Sequence, residues 1–346
     1  MRKPFNIGSE VVKPGEMKVI HLSLPGLHSD TSVTMPVHVV HGKKDGPILF
    51  LSAAIHGDEI NGVEVIRRIL SLRTISNLKG TLLAVPVVNV FGFDAHSRYL
   101  PDRRDLNRSF PGSQSGSLAS RLANIFMTEI VERSDLGIDL HTAAIHRDNF
   151  PQIRADLKDE KLNNLARVFA APVLLHSAAP EGSLRNAAAS ESTSVMVYES
   201  GEALRFDEVS IRVAVRGILN VMREMEMIAK RKARKSKQTV VLRSSTWVRA
   251  SKSGILRAKV KLGDMVLKGD VLGYVSDPAV QRDELIEAPL EGIIIGRTNL
   301  PLIYEGEALF HIGRSRQTSL LEEQVDTLQN DDALTTPELV EEPIIV

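Results

Sequence analysis

Five residues have the types and placements that could hold a metal and move a proton: His56, Glu59, Asp139, His141 and Glu199. His56 follows the apolar run LSAAI, and Glu59 stands three residues on, across a glycine turn where an amphipathic stretch begins. Residues three apart at a helix start share one side. Asp139 and His141 lie in GIDLH and Glu199 in VMVYES, each closing another apolar run. In open α/β sheets ligands collect outside the carboxyl ends of strands, so side chains at several such ends converge on one crevice. His56, Glu59 and His141 would give two imidazoles and a carboxylate, the set of a catalytic zinc with one position left for water. Asp139 shares a strand face with His141 and is either a partner that fixes its tautomer or a plain structural acid. Taken singly, each residue has a plainer reading. A strand-end histidine is commonly a satisfied polar group, Glu59 suits the first turn of a helix, and Glu199 suits a loop.

The segment SRYLPDRRDLNRSFPG (97–112) adds weight to the sharper reading. Arg98, Arg103, Arg104 and Arg108 are forked donors suited to a carboxylate, and Asn107 can hold other polar groups of a substrate. The alternative is a solvated basic loop balanced by Asp102 and Asp105. The stretch 91–116 is too long for a simple connection, which marks it as functional.

The elements that must position these residues alternate in type. Branched-residue runs at PVHVVHG, PILFLSAAI, GTLLAVPVVN, LGIDLHT, APVLLHS and SVMVYES read as strands. Helical periodicity is expected over 59–72, 117–133 and 207–230. This alternation implies an α/β fold with a mixed, largely parallel sheet flanked by helices. The basic run AKRKARKSKQ (229–238) then separates residues 1–235 from a glycine-punctuated segment, 239–313, whose two halves echo each other. That segment is expected to be a small β-barrel. Residues 314–346 are acidic and aperiodic, and a disordered tail is expected.

Lys+Arg and Asp+Glu both total 43, so the chain is neutral and no nucleic acid is implied as partner. There are no cysteines, so any metal must be held by His, Asp and Glu. The first residues lack the apolar core of a signal peptide and no apolar run reaches membrane-spanning length, so a cytoplasmic location with no membrane contact is expected.

The ordered set HGDE, RDLNRSFPG, DLHT and YESG resembles the succinylglutamate desuccinylase/aspartoacylase family, zinc-dependent deacylases related in fold to the zinc carboxypeptidases. The resemblance runs from about residue 45 to 313. It implies one zinc per chain on His56, Glu59 and His141, with Glu199 as catalytic acid/base and zinc-bound water as nucleophile. It also implies that Asn107 and Arg108 orient the substrate carboxylate or the scissile carbonyl. Arg98 is the choice for polarising the carbonyl, with Arg103 or Arg104 able to take that role. The implied substrate is a small N-acyl amino acid or related N-acylated amine, cleaved at a linear amide. Residues 239–313 also resemble a biotinyl/lipoyl module. The hairpin segment SDPAVQRDELI has no lysine, however, so a swinging-arm carrier is disfavoured.

Two alternatives stand beside this reading: a zinc carboxypeptidase acting on peptides, and a non-catalytic ligand-binding protein of the same fold. The discriminating pocket is expected in loops around 143–155 and 178–192 and in the barrel. Homo-oligomer assembly is left open.

Overall fold

The computed structural model describes residues 2–26, 28–230, 239–279 and 283–314. The expected acidic tail lies, from residue 315 on, outside the described residues, as does most of the basic run, 231–238.

A short ribbon of β1 (Phe5–Ile7) and β2 (Glu10–Val12) precedes the large sheet. The sheet takes up β3 (Glu16–Leu24), β4 (Val33–His41), β5 (Lys44–Ala53), β6 (Lys79–Val85), β7 (Leu136–Ala143), β8 (Arg147–Ala155), β9 (Val173–His176) and β10 (Ser194–Glu202). The helices are α1 (Asn61–Ser71), α2 (Val90–Asp94), α3 (Leu118–Phe126), α4 (Glu160–Phe169), α5 (Leu184–Ser190) and α6 (Glu208–Glu224).

The central order is β8-β10-β7-β5-β6-β4-β3. Only part of it is parallel: β10 with β7, β7 with β5 and β5 with β6. The pairs β8/β10, β4/β6 and β3/β4 are antiparallel. The sheet is therefore mixed around a parallel centre rather than largely parallel throughout. Crossovers carrying helices impose the parallel pairs, whereas the short β3–β4 link lets the chain turn straight back.

Side-chain alternation in the central strands explains where the site falls. Leu49, Leu51, Ala53, Ile138, Leu140, Met196 and Tyr198 all enter one core with α1, α4 and α6. Their strand neighbours Phe50 and Val195 enter the other core, beneath α3 and α5. Carried towards the strand ends, this second face bears Ser52, Asp139, His141 and Glu199. Period-two geometry thus puts these four polar residues on one side of the sheet. Gly137 makes room there: a Cβ at that position would meet the Phe50 ring at 2.1 Å, and Phe50 is its register partner.

Several described elements depart from expectation. Residues 147–155, read as loop, form β8, and 184–190 form α5. Helix α3 stops at Phe126 and continues as one wider turn, in which Glu132 N–H donates to the Met127 carbonyl at 3.0 Å. Pro151 hides β8 in the sequence. It sits where the outer neighbour of β8 changes from a later strand, paired at 147–149, to β9, paired at 152–155. A missing backbone donor is tolerated at such a break.

The C-terminal strands are β11 (Val240–Leu242), β12 (Ser245–Arg249), β13 (Gly254–Ala258), β14 (Met265–Val266), β15 (Val271–Ser276), β16 (Asp283–Glu287), β17 (Gly292–Thr298), β18 (Leu302–Ile303) and β19 (Ala308–Gly313). Among the described residues their hydrogen bonding does not close a separate barrel. β16, β15, β13 and β18 make a four-stranded sheet, while β17 pairs with β8 and carries β19, β12 and β14 into the large sheet. The two groups face each other over a shared core that includes Leu256, Leu272, Val275, Ile294 and Phe310. No helix among the described residues is long and apolar enough to cross a membrane.

His311 on β19 shows what this extension buries. It is 6% exposed, its ring stacks on Trp247 at 4.4 Å and 9°, and Nδ1 has no partner among the described residues. Burial, helped by the Arg154 charge, pushes the imidazole down to about 3 from its ordinary 6.5. Below pH 6.5 the unfolded chain therefore takes a proton that the folded chain refuses, so stability falls with pH by about 1.4 kcal/mol per unit from this group. His311→Phe keeps the stack and should flatten the slope between pH 6.5 and 5. Denaturant midpoints of both proteins across that range give the comparison, and parallel slopes would contradict the assignment.

Candidate metal centre

The chain leaves β5 through Ala54, whose φ is 50°, and turns at once. Glu59 N–H donates to the His56 carbonyl at 3.1 Å, which closes the turn, and α1 starts at Asn61. Gly57 is required by a close approach: a Cβ there would lie 2.0 Å from the Gly92 carbonyl carbon. Leu204 N–H donates to the Asp58 carbonyl at 2.8 Å, and Asn61 Nδ2 donates to the Ser200 carbonyl at 3.2 Å. The turn after β5 is thereby tied to the end of β10 and the residues that follow it.

His56, Glu59 and His141 are 4%, 2% and 6% exposed, and one ligand atom from each lies within 4.8 Å of the others. Nδ1 of His56 is 2.6 Å from Glu59 Oε1, and Nδ1 of His141 is 2.7 Å from Glu59 Oε2. The Thr142 N–H donates to the same Oε2 at 3.1 Å. The two imidazoles thus present the same ring nitrogen to opposite oxygens of one carboxylate. Their far nitrogens are held too. Nε2 of His141 sits 2.6 Å from Asp139 Oδ2, and Ser52 Oγ donates to Asp139 Oδ1 at 2.7 Å. Nε2 of His56 sits 3.2 Å from Asp105 Oδ1.

Asp139 was open between two readings in the sequence, and the structure places it against the His141 ring. Asp105 was missed, being read only as a counter-charge in a basic loop. Its signal is weak in sequence because 49 residues separate it from His56. The loop folds back so that Asp105 also receives Arg98 through Nη2 at 3.0 Å, while Arg98 Nη1 reaches Glu59 Oε1 at 3.2 Å.

The electrostatics follow from this packing. Burial works to raise the Glu59 carboxyl, but His56 and His141 outweigh it and hold the group well below the usual carboxylate range. Burial opposes charge on His141, yet Asp139 and Glu59 bring its pKa well above the ordinary histidine value. His56 is raised in the same way against burial, by Glu59 and Asp105. Asp105 is held low, against its own burial, by His56 and Arg98. A pocket that stabilises positive charge on two imidazoles favours either protons or a metal ion in their place.

Glu199 reaches the same face from the next strand. It is the register partner of His141 in the parallel β10/β7 pair, and neighbouring strands lie about 4.8 Å apart. Its Oε2 accepts from Asn149 Nδ2 at 2.8 Å and forms an ion pair with Arg154 Nη2 at 2.9 Å. Both partners come from β8 and were not singled out in the sequence.

The basic loop divides in space. Arg98 reaches the centre, whereas Arg103 and Arg104 are exposed and Arg104 lies 3.9 Å from Asp102. Asn107 Oδ1 accepts from Leu184 N–H at 2.9 Å, so this side chain anchors the start of α5. Arg108 is exposed, with Nη1 donating to the Asn107 carbonyl at 2.6 Å.

Two nitrogens and a carboxylate, all buried, each imidazole backed by an acid, match the donor chemistry of zinc. The family model for the succinylglutamate desuccinylase/aspartoacylase catalytic domain matches residues 45–225, more than half of the chain. The chain belongs to this family. The succinylglutamate desuccinylase/aspartoacylase assignment covers the centre and both loops around it. A curated relative, N-alpha-acetyl-L-2,4-diaminobutyric acid deacetylase of Halomonas elongata, is 27% identical over 257 residues, covering 71% of this chain and 75% of its own. In fold, the chain is similar to a succinylglutamate desuccinylase/aspartoacylase from Rhodobacter sphaeroides, with a TM-score of 0.79 at 22% identity over 86% of this chain and 96% of that one. The product-bound ectoine utilization protein EutE (DoeB) of Ruegeria pomeroyi gives a TM-score of 0.78 at 24% identity over 90% and 98%.

Proposed function

We propose that this chain is a zinc-dependent amidohydrolase that cleaves the linear amide of a small N-acyl amino acid. The observation that carries the proposal is the convergence of both imidazole Nδ1 atoms on Glu59, with Glu199 one strand away. A single zinc on His56, Glu59 and His141 would lower the pKa of a water towards about 7 and polarise the carbonyl.

The chain's own residues do the rest. Asp139 and Asp105 hold the far nitrogens of the imidazoles, which fixes ring orientation and leaves Nδ1 as the ligating atom. Glu199 takes a proton from the attacking water and passes it to the departing nitrogen, because an amine anion is a very poor leaving group. Arg98 supplies a charged donor to the developing oxyanion, usually the largest single catalytic contribution. Asn107 and Arg108 orient the substrate carboxylate, Arg108 by its exposed fork and Asn107 by fixing the wall formed by α5. Water and amide become a carboxylate and a free amine.

The deacetylase relative makes N-alpha-acetyl-L-2,4-diaminobutyrate the first substrate to try. The zinc-loaded protein should release amine from this compound or from another member of a panel of N-acetyl, N-succinyl and longer N-acyl amino acids. Faster cleavage of short peptides than of every panel member would contradict the proposal.

A further inference from the structure

Glu199 is gripped on one side only. Both contacts it makes among the described residues fall on Oε2: the Asn149 amide at 2.8 Å and the Arg154 guanidinium at 2.9 Å. Arg154 lies opposite Val197, Gln152 opposite Glu199, and Asn149 opposite Gly201 beyond a register shift. The two donors therefore flank Glu199 from either side along β8.

This wall is braced from behind by the C-terminal strands. Gly296 on β17 pairs with Asn149, and a Cβ at 296 would lie 2.8 Å from Asn149 Oδ1. Gln152 Nε2 donates to the Ile295 carbonyl at 3.1 Å. Arg154 is costly where it stands. Its Nε is buried with no hydrogen-bond partner among the described residues, and a partly buried ion pair of this kind is weak support for stability.

We propose that Arg154 and Asn149 are positioning residues that hold Glu199 by Oε2 and so present Oε1 as the atom that accepts and returns the proton. The proposal rests on the reading of Glu199 as acid/base. A base must come within about 2.6–3.2 Å of the proton's heavy atom. A carboxylate freed to rotate loses that placement, and a misplacement of about 1 Å costs about 100-fold. The strands after residue 239 bear on the same step, since β17 pairs with β8 at Asn149.

The test uses the full zinc-loaded chain with Arg154→Ala, Arg154→Lys and Asn149→Ala, on the best-cleaved N-acyl amino acid of the panel. Arg154→Ala should lower kcat about 100-fold with KM and zinc content unchanged, and Arg154→Lys should recover part of the loss. Asn149→Ala, which removes only a neutral donor, should lower kcat about 10-fold and still fold. Its crystal structure should show Glu199 in more than one rotamer. With Glu199→Gln already present, Arg154→Ala should cost nothing more. A rise in KM, a further loss in that background, or a single undisturbed Glu199 rotamer together with normal kcat in Asn149→Ala would overturn the positioning role. An active Glu199→Gln would instead overturn the acid/base reading, so the two failures are distinct.

Discussion

Glu199→Gln is expected to lower kcat by about 1,000-fold while one zinc per chain stays bound. General acid–base catalysis contributes about 10²–10⁴-fold, and here one carboxylate serves both the attack and the departure. The amide keeps the size of the side chain, and its oxygen can still accept from Asn149 at the Oε2 position. What is lost is the ability to take a proton. KM should change little because Arg98, Asn107 and Arg108 are untouched. Steady-state kinetics with metal analysis on the same preparation decides it, and a variant within a few-fold of wild type would remove Glu199 from the mechanism.

The second large effect is on the metal. His56→Ala or His141→Ala should leave the protein without stoichiometric zinc and without hydrolysis, since either removes one of the three groups that could hold the ion. Asp139→Asn should be graded, weakening zinc about 10–100-fold rather than abolishing it, because it acts through His141. The sign of the pH dependence is also set. His56 and His141 are raised, so zinc must displace protons, and apparent affinity should climb with pH through the neutral range with measurable proton release. Chelator competition at several pH values measures all of this. A histidine variant that keeps stoichiometric zinc, or an affinity flat in pH, would contradict the ligand set.

The residues of the candidate site were legible in the sequence because their placement obeys a simple rule. His56, His141 and Glu199 end apolar runs, and period-two alternation puts Asp139, His141 and Glu199 on one face whatever the loops do. Apart from Asp139, the residues that support them were not legible, because nothing local marks them. Asp105 acts across 49 residues, and Asn149 and Arg154 lie on a strand disguised by Pro151 and by its polar composition. The separation of Arg98, which reaches Glu59, from the exposed Arg103 and Arg104 needed the fold of the loop, since composition treats the three alike. The C-terminal segment shows the same limit. Repeated glycine punctuation announced short strands, but β17 crosses to pair with β8, and partner choice between sheets is a matter of tertiary packing. Helix α4 is a different case. Leu162, Leu165, Ala166 and Phe169 hold the helical period behind an Asp159 cap, so the signal was present and went unread.

The most direct measurement is diffraction from the zinc-loaded protein on both sides of the zinc absorption edge. One anomalous peak per chain is expected, bounded by Nδ1 of His56, Nδ1 of His141 and the Glu59 carboxylate. Fully active crystals with no peak there, or with zinc held only elsewhere, would contradict this site.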